Sequence, residues 1–158
     1  MLLVGLNPSV YSAERGVAFA RPGNRFWPAA LQAGIVSVDR DPAHALRHHG
    51  VGFTDLVKRA TARAGELSTE DYQFGAKRLR ELVEWLAPNV VVFLGITGYR
   101  FAVDRHASLG VQPGNFGGAA TYVMPNPSGL NAHTNIDDLV THFQSVARLV
   151  SSVANASR

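Results

Sequence analysis

Two short turns of related composition hold side chains suited to chemistry: Gly5-Leu6-Asn7-Pro8-Ser9 near the start and Asn126-Pro127-Ser128-Gly129-Leu130 near the end. Each follows a short apolar run, which would stand their amides and hydroxyls at strand ends, where a sheet opens to ligands. Asn and Ser side chains donate and accept hydrogen bonds, but an amide is not an effective base. A carboxylate that could serve as one, Asp55, lies in the middle segment Val51-Gly52-Phe53-Thr54-Asp55-Leu56-Val57. The chain has no cysteine. That removes disulfides, thiolate nucleophiles, thiolate zinc sites and iron–sulfur clusters together. Any chemistry must use oxygen and nitrogen side chains, or water.

Taken singly, an Asn-Pro turn has a local explanation, because an Asx side chain bonds its own backbone and proline fixes φ. Two such turns after two apolar runs point instead to one divided site. The runs are Leu2-Leu3-Val4 and Thr121-Tyr122-Val123-Met124, and a third, Val90-Val91-Val92-Phe93-Leu94, ends in Gly95-Ile96-Thr97-Gly98. Apolar, β-branched runs without polar alternation fit strands covered on both faces. Segments of helical period lie between them, so the expected fold is α/β: a three-layer sandwich with a central, mainly parallel sheet. The two turns would then share one rim.

At 158 residues, with 46% hydrophobic content, the chain fits one domain with a sizeable core. The expectation is a single domain over residues 1–150 and a frayed tail over 151–158. No apolar run approaches the roughly 20 residues that cross a bilayer, and the start enters a strand directly, so a cytoplasmic protein without membrane contact is expected. Fifteen basic against twelve acidic residues give +3, a balance compatible with a solvated surface or a polyanionic partner. His44, His48 and His49 superficially resemble metal ligands. They lack supporting carboxylates, so a solvated helical face is expected and no metal is assigned.

Along the chain, residues 8–24 are rich in Gly, Pro and Ser and read as an ordered loop. Asn24 can cap a helix running to about Ala33, with Phe26, Trp27, Ala30 and Leu31 as its buried face and Gly34 ending it. Asp41-Pro42 starts a short helix that Gly50 stops, and the segment with Asp55 returns to the core. Ser68, with Asp71 three residues on, opens a long amphipathic helix through Leu79, Leu82, Val83 and Leu86. A shorter helix is expected from about Thr97 to Arg105. A last one begins after Asn135, with Leu139, Phe143, Val146 and Val150 on one face.

This ordered set resembles the mismatch-specific uracil-DNA glycosylase and thymine-DNA glycosylase family, one branch of the uracil-DNA glycosylase superfamily. The resemblance runs from Leu3 to about Val150. It rests on Gly5-Leu6-Asn7-Pro8, Phe19-Ala20-Arg21-Pro22-Gly23-Asn24-Arg25-Phe26-Trp27, Gly52-Phe53-Thr54-Asp55-Leu56-Val57 and Met124-Pro125-Asn126-Pro127-Ser128-Gly129-Leu130. It implies removal of uracil from DNA, preferentially duplex uracil opposite guanine, by flipping the nucleotide and attacking C1′ with water. The expected partner is double-stranded DNA bearing uracil or a related damaged base, with single-stranded DNA as a second form. No cofactor or metal is expected, and a monomer suffices.

By the same resemblance, Asn7 positions the water, and Phe19, Ser12, Ala20 and Asn126 line the base pocket. Phe19 would stack on the flipped base, where a core aromatic is the alternative. Asp55 departs from the amide or lysine common in the family. It could accept the uracil N3–H or activate water, or it could cap the following helix. Leu130 reads as the wedge filling the vacated stack, with Gly129 allowing close backbone approach and Ser128 holding a phosphate, against a Leu130 buried in a tight turn. The arginine common two positions beyond the leucine is replaced by Ala132, so Asn131 or His133 could take over reading of the opposite guanine. Arg21, Arg25, Lys58, Arg59 and Arg63 could touch the DNA backbone, though ordinary surface charge explains them as well. Two other functions fit the same rim: a hydrolase of free nucleosides or nucleotides, and a non-catalytic DNA-lesion binder.

Overall fold

The three apolar runs are strands, and the computed structural model, which describes residues 1–156, places them side by side. In chain order the elements are β1 (Leu2–Gly5), α1 (Val10–Arg15), α2 (Phe26–Gln32), α3 (Pro42–His49), β2 (Gly52–Asp55), a 3-10 turn (Ala64–Glu66), α4 (Thr69–Leu86), β3 (Val90–Leu94), α5 (Ile96–Ala102), β4 (Gly110–Val111), β5 (Ala120–Met124) and α6 (Ile136–Ala156). The sheet order is β2-β1-β3-β5-β4. The first four strands are parallel, and only the two-residue β4 runs antiparallel, against β5.

Alternation along the strands splits the core into two layers. Leu3, Val90, Val92, Leu94, Tyr122 and Met124 face α2 and α6. Leu2, Val4, Val91, Phe93 and Val123 face Leu79 and Val83 of α4 and Tyr99 of α5. Each such side chain taken from water contributes about 1.5–3 kcal/mol, which is why every residue of β3 is buried. The three-layer α/β expectation therefore holds.

Helix starts follow side-chain capping. Asp41 accepts from the His44 N–H ahead of α3, and Ser68 and Asp71 form a reciprocal capping box ahead of α4. At α2 the cap position is Arg25, which makes no side-chain cap bond, and Asn24, expected as the cap, lies one residue earlier and accepts from the Phe26 N–H at 2.9 Å. The buried faces differ slightly from expectation: α2 buries Ala29 with Phe26, Trp27 and Ala30, Leu31 is only partly buried, and Leu86 at the end of α4 is exposed.

Three expectations are corrected, and one strand is added. Residues 8–24 are not all loop: Ser9 caps α1 through the Ser12 N–H, and Gly16, at φ 64, ends it. The helix after β3 stops at Ala102 instead of Arg105. β4 was absent from the sequence reading. The tail is not frayed from Ser151, because α6 continues to Ala156 and keeps Val150 and Val153 against the α2/α6 layer. Residues 157–158 lie outside the described residues. No helix among the described residues is long and apolar enough to cross a membrane.

Candidate active site

β1 is an interior strand, with β2 on one side and β3 on the other, so the chain reverses its direction of growth at β1. In open parallel sheets that switch, at the carboxyl ends of the strands, is where ligands bind. A cavity of about 480 Å³ opens there. Its walls include Asn7, Ser12, Phe19, Asp55, Lys58 and Asn126, with Leu130 at the mouth. The two Asn-Pro-Ser turns do share one rim.

Asn7 is held by an extension of the parallel ladder. Past the strands, the N–H groups of Leu56, Val57 and Thr61 donate to the carbonyls of Gly5, Leu6 and Pro8 at 2.8, 2.9 and 3.2 Å. This carries the Arg59 carbonyl and the Thr61 hydroxyl to the Asn7 carboxamide, whose Nδ2 donates to them at 2.9 and 2.7 Å. Both amide hydrogens are thus used, and Oδ1 is the atom left to accept from a water. Arg59 in turn donates to the Glu66 carbonyl and, at 2.6 Å, to Asp71. That hydrogen bond holds the Asp71 carboxyl down at about 2. Arg59 is thus engaged within the protein through Nη2, on a side chain that stays exposed.

Asp55 ends β2 opposite Gly5. No helix begins beside it, and α4 is capped by Ser68, so the capping alternative falls. Its carboxylate takes no hydrogen bond from the described residues, while its backbone carbonyl is tied to Arg78 of α4. Burial pushes the Asp55 carboxyl above its ordinary value, opposed by the charges of Lys58 and Arg78. Burial likewise draws Lys58 downward, against the pull of Asp55. Gly5 makes room for this arrangement. A Cβ there would stand 2.5 Å from Asp55 Oδ1 and 3.2 Å from the Phe19 ring.

Phe19 is the aromatic wall. Its ring stacks on Phe26 at 4.5 Å and 25°, and Phe26 meets Trp27, Phe53 and Phe143 edge to face. The Trp27 indole donates to the Ala18 carbonyl at 2.8 Å, fixing the backbone just before Phe19. Phe19 itself sits at φ 56, a left-handed conformation that costs an ordinary residue about 1–2 kcal/mol. Packing from below thus holds a strained residue with its ring lining the cavity, so it is both a packed aromatic and an available platform.

Ser12 is buried and lines the cavity, and its Oγ accepts the Ala20 N–H at 3.2 Å and the Ser9 hydroxyl at 3.1 Å. Ala20 is not among the cavity walls. Its assignment to the base pocket is corrected, because its N–H is already spent on Ser12. Asn126 lines the cavity and accepts the Ser128 N–H through Oδ1.

On the rim, Leu130 is 80% exposed, which excludes a buried leucine. The Ser128 hydroxyl accepts the Leu130 N–H at 3.3 Å and keeps its own proton free to donate. The backbone that approaches Gly129 closely is the protein's own. A Cβ on Gly129 would lie 2.4 Å from the Gly23 carbonyl oxygen. The Asn131 carboxamide is committed within the loop, donating to the Asn126 carbonyl and the Thr134 hydroxyl and accepting from the His133 N–H. Both of its amide hydrogens are spent there and a second lone pair on Oδ1 is left, while the His133 side chain is exposed. Arg25 is turned inward onto backbone carbonyls of the same loop.

Thr61 and the inward role of Arg25 escaped the sequence reading. Their partners lie 54 and up to 109 residues away, and no local pattern signals such contacts. Elsewhere, His44 stacks on His48 at 4.2 Å and His49 shares a hydrogen bond with Ser37. Among the described residues no group of three or more His, Cys, Asp or Glu is placed to hold a metal.

Fold and cavity together define an α/β protein whose site gathers an anchored amide, a carboxylate free of hydrogen bonds and an aromatic wall at the sheet's switch point. The match to the uracil DNA glycosylase superfamily, found by comparison with protein-family models, spans residues 1–148, and the chain belongs to that superfamily. Its general activity is therefore of the uracil-DNA glycosylase type, acting on DNA that contains uracil.

Proposed function

We propose that this chain is a monofunctional, mismatch-directed glycosylase that hydrolyses the N-glycosidic bond of uracil in duplex DNA, preferentially opposite guanine, and leaves an abasic site. The observation that carries this reading is the Asn7 carboxamide, anchored through both amide hydrogens in a cavity it shares with a hydrogen-bond-free Asp55. Leu130 at the mouth enters the duplex as the nucleotide leaves it, and the base stacks on Phe19. Asn7 Oδ1 accepts a hydrogen from the water and aims its lone pair at C1′. As the C1′–N1 bond breaks, its electron pair leaves with uracil. The water oxygen bonds C1′, and its proton passes to Asp55. Exposed His133 supports contact with the unpaired strand opposite, in place of the arginine that Ala132 replaces.

The test is single-turnover excision from oligonucleotides carrying uracil opposite guanine, opposite adenine, or in a single strand. Excision fastest opposite guanine, and reduced at least about a hundredfold by Asn7→Ala, is expected. Equal rates on all three would remove the mismatch preference, and an unchanged Asn7→Ala rate would remove the water-positioning role.

A further inference from the structure

The loop that carries Leu130 is gripped from within the domain by one residue. Arg25 Nη1 donates to the Thr134 carbonyl at 2.7 Å, to that of Asn131 at 2.8 Å and to that of Ser128 at 3.5 Å. The Arg25 N–H donates to the Pro127 carbonyl at 2.9 Å. A second join lies beside it, where Gly129 rests against Gly23 with no room for a Cβ. Gly23 and Arg25 belong to the segment that enters α2, whose first residue, Phe26, stacks against Phe19. The ring proposed to receive the base and the side chain proposed to replace it are therefore built on one body.

We propose that Arg25 is a positioning residue that couples the Leu130 loop to the base pocket, and that this coupling sets the advantage of duplex over single-stranded substrate. The inference rests on the glycosylase reading and deepens it. A loop of Asn, Ser and Gly bearing an exposed leucine would have to be ordered as it enters the duplex, and that entropy would be lost from flipping. Three carbonyl oxygens converging on one place also repel one another unless a cation joins them. Nη1 of Arg25 does so with charge-assisted bonds, from the end of a side chain one bond longer than lysine's, so that an ammonium at this position stops short of the three carbonyls. A single strand has no stack to refill, so the grip matters little there. Arg25 touches neither Asn7 nor Asp55.

The experiment is a double-mutant cycle in single-turnover excision, using wild type, Arg25→Lys, Leu130→Ala and the double variant on a uracil–guanine duplex and on a single strand. Arg25→Lys is expected to lower the duplex rate about tenfold, the scale of a lost charge-assisted hydrogen bond, with a much smaller change on the single strand. In the Leu130→Ala background its effect on the duplex should vanish. Additive effects in the double variant overturn the coupling, as do equal losses on both substrates. If the single strand is not cleaved, the duplex cycle alone decides. Gly129→Ala keeps Arg25 but drives a methyl into the Gly23 carbonyl, and it is expected to slow duplex excision in the same Leu130-dependent way. It decides the matter if Arg25→Lys melts below the assay temperature. A wild-type chain inert on both substrates overturns the glycosylase reading and this proposal with it, whereas an active wild type with an additive cycle overturns the coupling alone.

Discussion

In the proposed reaction the water is shared between two side chains that each lack what the other has. Asn7 has fixed orientation, because Arg59 and Thr61 hold its Nδ2, but an amide cannot take a proton. Asp55 can take one, and burial makes it a stronger base by raising its carboxyl above 3.8. The same shift carries a stability consequence. A raised folded-state pKa means that the folded protein holds this proton more tightly than the unfolded chain does. Its contribution is complete below the ordinary carboxylate value and is lost as pH rises through the raised one. At neutral pH the ionised Asp55 therefore weighs against folding. Asp55→Asn is expected to raise the melting temperature at pH 7 and to change it little below about pH 3.5, while slowing excision and abolishing the acidic limb of the pH–rate profile. A lower melting temperature at pH 7 would instead place Asp55 in a stabilising ion pair with Lys58. An unchanged acidic limb would remove it from the proton transfer.

Among the elements, legibility followed length and locality. β1, β3 and β5 could be read because strands buried on both faces are continuous apolar runs, and α4 because Ser68 and Asp71 announce its start. The six residues of α1 are too few to show a helical period, and β4 has only two. The turns around Asn7 and Asn126 were readable as one rim, but the atoms that orient Asn7 come from residues 59 and 61, through a ladder that exists only once β1 and β2 pair. The helix that was missed bears on the site. Ser9 caps α1 through the Ser12 N–H, and Ser12 holds the Ala20 N–H just beyond Phe19. Ser9→Ala removes that cap, a loss of about 1 kcal/mol. It should appear as faster hydrogen exchange at Ala20, with the exchange of β3 amides unchanged, since β3 opens only with the whole fold. Unaltered exchange at Ala20 would mean that the loop is held without α1.

For the whole molecule, the sheet divides the labour between its two covering layers and its open edge. The layers supply stability: α2 and α6 close one face, and α4 and α5 the other. The carboxyl edge is left to loops that hold the cavity. Because α2 supplies both Phe26 beneath Phe19 and core residues that pack with α6, the base pocket shares its foundation with the C-terminal helix. The last turns of α6 are part of that foundation, since Val150 and Val153 lie against the same layer although they are only partly buried. Truncation after Val150 would expose that edge of the core. The cost expected is about 1–2 kcal/mol, on the scale of one partly covered aliphatic side chain, read as a lower midpoint in urea with little change in slope. Single-turnover excision well below the midpoint should stay near wild type, because no residue of α6 lines the cavity. A midpoint equal to that of the full chain would show that the helix beyond Val150 adds nothing to the core. A slowed excision with an unchanged midpoint would show that the tail acts on the site directly, by a route other than packing beneath α2.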